Sequence, residues 1–290
     1  MSKFVEDRGY NGDQLRVLSL LKGGETVCLM VAPSFVVDFD YKTFVPLMKA
    51  LGFDYTTELT FGAKVVNQEY HKYIHENKSK QGKFISSVCP ASVNLIKTKF
   101  PEMKKYLLPF DSPMVAMAKV IDKNWPNQKN VFLAPCFAKK QEAKKYPKII
   151  HATITFSELK EILAKEKIKP KKGSHLFDCF YNDYTKIYPL SGGLSATLHA
   201  KDILKKEEMV SCDGCKNLQK LFDRHSEKVF YDILFCKGGC IGGPGVSSNK
   251  PIFVKRKRVL DYRKSANKEK IGERKGVDKY TKGIDFHTEF

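Results

Sequence analysis

The feature that most constrains the fold is a repeated hand-over from a continuous apolar run, across a proline, to an amphipathic run. ETVCLMVAPS ends its apolar stretch at Pro33, and NVFLAP does the same at Pro135. YKTFVPLMKALGF and AKVVNQEYHKYIHEN carry helical spacing after the first, and FAKKQEAKKY follows the second. Between them KFISSV reads as a short strand, and Pro90 suits the first position of a helix PASVNLIKTKFPEMKKYL. Ser112 and Pro113 read as the cap and first residue of the helix SPMVAMAKVIDKNW. Further on, Ser157 is expected to cap the helix in TITFSELKEILAKEKI, PLSGGLSATL and CKNLQKLFDRH read as helices, and VFYDILF as a strand. Short apolar strands alternating with helices predict an α/β fold: two lobes with largely parallel sheets flanked by helices, and a cofactor cleft between the lobes. The lobes are expected at about residues 1–130 and 131–250, with 251–290 as a basic tail.

At 290 residues and 42% hydrophobic content the chain can bury a large core. Its start, MSKFVEDRGYNGDQ, has no basic stretch followed by an apolar one, and no run reaches the roughly 20 apolar residues of a membrane span. A cytoplasmic protein without a membrane segment is expected. The net charge of +19 invites a nucleic-acid reading, but the lysines are scattered along helical stretches, as solvated faces require. Only residues 246–290 concentrate charge, with 13 Lys+Arg against 6 Asp+Glu, in a segment that is either disordered or docks an acidic partner.

Eight cysteines remain to be explained, and in a reducing compartment metal ligands or core thiols are favoured over disulfides. Three stand where a strand hands over to a loop: Cys89 in SSVCP, Cys136 in LAPC and Cys236 in ILFC. In such sheets sites form beyond the carboxyl ends of strands. Cys240 follows in FCKGGCIGGPG, among five glycines. Four thiolates suit an iron–sulfur cluster, although on spacing alone single cysteines at strand ends are more often small buried core residues. The glycines favour a cofactor, because a bare backbone can approach a bulky inorganic group closely.

These segments together resemble the C-terminal, catalytic (H-cluster) domain of the [FeFe]-hydrogenases over about residues 25–250. SSVCPASVNLIKTKFPEM is similar to the family's first cysteine motif, LAPCFAKKQEA to its second and FCKGGCIGGPG to its third, with VAPS and TFGA in matching order. The resemblance implies a [4Fe–4S] cubane joined to a two-iron unit carrying CO, cyanide and a bridging dithiolate. It assigns Cys89, Cys136 and Cys236 to the cubane, with Cys240 bridging to the two-iron unit, and the glycines then clear space for that wider cofactor. Lys139 and Ser34 correspond to residues beside the two cyanides, and Glu142 to a glutamate on the proton route.

The lining departs from the family. Val88 stands where the family's last proton donor, a cysteine, precedes Cys89. Valine carries no exchangeable proton, so an acid–base step worth about 10²- to 10⁴-fold is missing or rerouted. Ala134 and Leu234 replace methionines packed over the two-iron unit, and Lys237 replaces a proline and sets a cation near the cubane. No C-x-x-C-x-x-C-x-x-x-C-P run of ferredoxin type occurs. Cys212 and Cys215 form a lone C-x-x-C, read as a thiol pair at a helix start or two metal donors, while Cys28 and Cys179 read as structural.

The resemblance implies three functions: H₂ oxidation and proton reduction with electrons exchanged with an acidic ferredoxin; H₂ sensing through an electron-transfer or signalling partner; or, alternatively, a non-catalytic [4Fe–4S] protein akin to the cytosolic iron–sulfur assembly factors. The altered lining at Val88, Ala134 and Leu234 places the chain nearer the sensory branch.

Overall fold

The structure is a computed structural model that describes residues 9–170, 172–178, 184–223, 227–266 and 276–290. Among them seven strands form two sheets. β1 (Val27–Val31), β2 (Tyr55–Glu58), β4 (Lys129–Ala134) and β5 (Ala152–Thr155) make the first, in the order β2-β1-β4-β5. β3 (Phe84–Ile85), β6 (Met209–Asp213) and β7 (Phe230–Leu234) make the second, in the order β3-β7-β6. Every pairing is parallel. All residues of β1 and β7 are buried, which is why these strands read as unbroken apolar runs: a parallel sheet covered on both faces has no polar side.

Helices Gly12–Lys22, Tyr41–Leu51, Pro113–Asn124 and Phe156–Lys165 pack on the first sheet, and Pro90–Lys99 and Cys215–Asp223 on the second. The helix Thr60–Gln81 packs along Pro113–Asn124, and the fit is close at Gly62, where a Cβ would stand 2.3 Å from the Pro113 carbonyl oxygen.

The α/β architecture is as the alternation predicts, but the lobes do not divide near residue 130. β4 and β5 complete the sheet begun by β1 and β2, and β3 crosses to pair with β7. Local patterning fixes a strand, while its neighbours depend on chain paths tens of residues long. Three local expectations change too. The helix after Cys89 stops at Lys99, since Pro101 pushes Phe100 out of the helical region, and a 3-10 turn, Pro101–Tyr106, follows. The helix after β5 is capped by Thr155 rather than Ser157, through a box in which Thr155 and Glu158 satisfy each other's backbone N–H. Ser112 stands at its cap position without making a capping bond.

The described parts of the expected basic tail, 251–266 and 276–290, are built into the body. Residues Ile252–Ala266 form a helix whose Val259 and Tyr262 are 0% and 3% exposed. Its Tyr262 hydroxyl accepts a bond from Lys186 Nζ at 3.0 Å, and Lys186 is ion-paired with Glu58, both side chains fully buried. The chain end lies against the segment after β3: Asp111 N donates to Phe286 O at 2.9 Å and Thr288 N to Pro109 O at 3.0 Å. Apolar residues spaced one to two turns apart along KRKRVLDYRK give the basic helix this buried face.

Candidate metal centre

Both sheets aim the carboxyl ends of their strands at one cavity. Pro33 and Ser34 reach it after β1, Leu59 after β2, Val88 and Cys89 after β3, Pro135 and Cys136 after β4, and Leu234 and Cys240 from the end of β7 and beyond. Five strands from two sheets thus converge, the arrangement expected where parallel strands end.

Cys89 and Cys136 stand at the cap positions of the helices Pro90–Lys99 and Phe137–Ala143. The Cys136 side chain makes no capping bond, but the backbone N–H groups of Lys139 and Ala138 lie near enough to oppose the rise that burial causes in its pKa. Cys240 sits in a 3-10 turn, Gly239–Gly242, tied down by its N–H to Pro189 O at 2.7 Å. Cys236 is half-buried, beside exposed Lys237. The four thiols lie within electrostatic reach of one another. Burial first, and then Cys89 and Cys136, push the Cys236 thiol up to about 12. Burial and the other three thiols push Cys240 well up, and burial with Cys89 raises Cys136. Such a set ionises together only when a positive group sits among the sulfurs. Among the described residues no three ligand-type side chains close tightly enough for a single metal ion. Four soft thiolate donors spaced more widely than a mononuclear site fit an iron–sulfur cluster.

The glycines of the loop do something other than clear space. A Cβ on Gly239 would stand 2.4 Å from Pro189 O, and one on Gly243 2.4 Å from Pro135 O. Their bare faces therefore meet protein backbone, not the cavity. They let the Cys236–Cys240 loop lie directly on the segment that carries Cys136, and so bring the thiols together.

Lys139 is only 12% exposed and lines the cavity, far from a surface lysine. Its ammonium donates to Glu142 Oε2 at 2.6 Å, Ser112 Oγ at 2.8 Å and Val88 O at 3.3 Å. Glu142 therefore stands behind Lys139 and holds it, and Ser112 spends its hydroxyl here instead of on a cap. Ser34 also lines the cavity, and its buried hydroxyl has no hydrogen-bond partner among the described residues. Val88 and Leu234 form apolar wall, whereas Ala134 is fully buried one residue short of it, with Phe132 and Pro135 lining instead. Ser112 as an anchor for Lys139 was hidden from sequence reasoning, because its spacing to Lys139 is purely tertiary. Tyr188 and Pro189, also on the wall, were hidden for the same reason.

The remaining described cysteines stand elsewhere. Cys28 lies inside β1, 3% exposed. Cys212 and Cys215 pack against the core of the second sheet with Phe235. Cys179 lies outside the described residues.

The family profile described as "Iron only hydrogenase large subunit, C-terminal domain" matches residues 25–244. The chain belongs to this family. Iron hydrogenase 1 of Clostridium pasteurianum is 24% identical over 286 residues, covering 80% of this chain and 50% of that protein. The chain thus spans about half the length of that curated hydrogenase. Among solved structures, a variant of the [FeFe]-hydrogenase HydA1 from Chlamydomonas reinhardtii superposes with a TM-score of 0.76 at 15% identity, covering 97% of this chain and 99% of that one. A structure of HydA(deltaEFG) described as revealing stepwise H-cluster assembly gives a TM-score of 0.70 at 16% identity, over 93% and 94% of the two chains. These structures share the hydrogenase fold. Among the described residues no helix is long and apolar enough to cross a membrane.

Proposed function

We propose that this hydrogenase-family chain holds a [4Fe–4S] cubane on Cys89, Cys136, Cys236 and Cys240, with a two-iron unit against Cys240 in the cavity, and binds or turns over H₂ there. The observation that carries the reading is the composition of the wall: three of the four thiols share it with an anchored, nearly buried ammonium and a buried hydroxyl lacking a partner. A protein that held only a cubane would have no use for the unpaired Ser34. When bound, the inorganic group supplies the redox chemistry of H₂ and protons. The chain's own residues do the rest. Lys139, fixed by Glu142 and Ser112, presents positive charge to an anionic ligand. Val88 and Leu234 keep that wall dry, and Val88 offers no proton to it. Lys237 is exposed beside Cys236, which supports electron exchange there with an acidic ferredoxin or signalling partner. The Val88 side chain, which carries no exchangeable proton, favours slow turnover, as in a sensor.

The test is anaerobic reconstitution with iron and sulfide, then with a synthetic diiron dithiolate carrying CO and cyanide, followed by infrared spectroscopy. CO and cyanide stretches retained after desalting are expected. Iron in cubane amounts with no such bands would reduce the protein to a cubane carrier, and no retained iron would remove the cluster altogether.

A further inference from the structure

The C-x-x-C segment has no role in that reading, yet it lies against the loop that carries two of the four thiols. β6 pairs with β7 so that Asp213, between Cys212 and Cys215, stands opposite Leu234, just ahead of Cys236. Gly214, at φ +87°, turns the chain from the strand into the helix Cys215–Asp223. Its N–H donates to Leu234 O at 3.1 Å, and a Cβ on it would come to 3.9 Å from Lys237 Cα. Asn217 Nδ2 donates to Asp213 O at 2.9 Å. The Asp213 backbone is thus held by the sheet on one side and by the following helix on the other. From there its Oδ1 accepts the N–H of Gly238 at 3.0 Å.

Gly238 and Gly239 both have φ +81°, a conformation that glycine adopts freely and other residues do not. Successive N–H groups in such a turn make a concavity open to anions, but here each is taken by the protein. Gly239 N donates to Cys236 O at 2.9 Å, Cys240 N to Pro189 O at 2.7 Å, and Gly238 N to Asp213. Of these three bonds, only the one to Asp213 is made to a side chain, and a carboxylate acceptor makes it roughly twice as strong as a neutral one. On the opposite side Ile252 closes the loop, since a Cβ on Gly238 would stand 2.8 Å from its Cγ2. Two adjacent glycines lose much backbone freedom on ordering and have no side chains of their own to hold them. An acceptor brought from another strand supplies that hold.

We propose that Asp213 is a positioning residue of the cluster site: by holding the Gly238 N–H it fixes the Cys236–Cys240 loop in the conformation that presents both thiols. It acts through the loop backbone and not as a ligand. This rests on the reading of the four thiols as cluster ligands, and it gives the C-x-x-C segment a role in which neither of its own thiols takes part. An aspartate before a glycine in SCDGC reads locally as a turn residue, and only the pairing of β6 with β7 brings it to Gly238.

The test compares Asp213→Asn, whose side-chain oxygen can still accept the Gly238 N–H, with Asp213→Ala, which removes the acceptor. Each is reconstituted anaerobically with iron and sulfide, desalted, and assayed for iron and for the visible absorption of the cluster, beside a urea titration of the cofactor-free protein. Asp213→Ala is expected to retain several-fold less iron than the parent, and Asp213→Asn to match the parent in both iron and spectrum. Cys212→Ala with Cys215→Ala disturbs the same segment while leaving the acceptor in place, and should keep its iron. Parental iron in Asp213→Ala overturns the proposal. So does iron loss in a folded Asp213→Asn, whatever the state of Asp213→Ala, because the bond it retains would then not be what the site needs. A parent that retains no iron overturns the cluster reading and the proposal with it.

Discussion

Gly243 packs directly on Pro135: a methyl group in place of its hydrogen would stand 2.4 Å from the Pro135 carbonyl oxygen. The contact joins the loop bearing Cys236 and Cys240 to the residue before Cys136. Gly243→Ala must push the two segments apart, at a cost of about 1–3 kcal/mol. The expected outcome is loss of iron retention out of proportion to the loss of stability, measured by iron assay and by urea titration of the cofactor-free protein. Gly12→Ala, with no atom within 4 Å of the added carbon, serves as the control and should keep its iron.

Cys89, Cys136, Cys236 and Cys240 should each be needed for iron. Alanine at any one of them is expected to lower iron and sulfide after anaerobic reconstitution. Cys28→Ala, and Cys212→Ala with Cys215→Ala together, should leave the content unchanged at about 1 kcal/mol of stability per buried site. Iron loss in either of the latter would mean the ligand set is wrong.

The buried pair Lys186–Glu58 ties the C-terminal helix into the body through Tyr262. Removing one charge strands the other, so Lys186→Met should cost about 3–5 kcal/mol. Glu58→Gln with Lys186→Met should recover much of that loss. Chemical denaturation of the parent and the two variants measures both quantities, and equal stability of the single and double variants would contradict the pairing.

Val88→Cys places a thiol on the cavity wall. If proton delivery limits turnover, H₂ evolution should rise toward 10²- to 10⁴-fold at equal two-iron loading, and by less where Leu234 keeps the wall unlike that of fast enzymes. An unchanged rate at equal loading would show that another group delivers the proton or that this step is not limiting.

Asp232 is buried, and desolvation pushes its pKa up from 3.8 to about 6, against the lowering effect of the Ser195 N–H. A carboxyl whose folded pKa is raised holds its proton more tightly when folded. Its contribution is therefore fully present below 3.8 and is lost as pH rises through about 6, by roughly 3 kcal/mol. Asp232→Asn should flatten the pH dependence of stability across that window and be more stable than the parent at pH 7. A parallel pH profile for the two proteins would show that Asp232 is ionised without penalty.

Much of the fold was legible because it is written in local terms. An unbroken apolar run such as VCLMV in β1 suits a strand covered on both faces, and Pro90 and Pro113 suit the first position of the helices they open. Cysteines directly after such strands must lie at the carboxyl edge of a parallel sheet, and the three cysteine segments carry enough specific residues to mark the family. The sequence by itself therefore determined the architecture, the family and which edge of the sheets bears the thiols. Only the tertiary structure decided that β3 leaves the first half of the chain to pair with β7, and that the basic C-terminal stretch is a packed helix. It alone decided that the glycines meet Pro135 and Pro189 rather than a cofactor, and that Lys139 is held by Ser112. Each of these rests on atoms distant in sequence brought within a few ångströms. Period, propensity and spacing act along the chain and carry no information about such contacts, which belong to the way the two sheets close on one another.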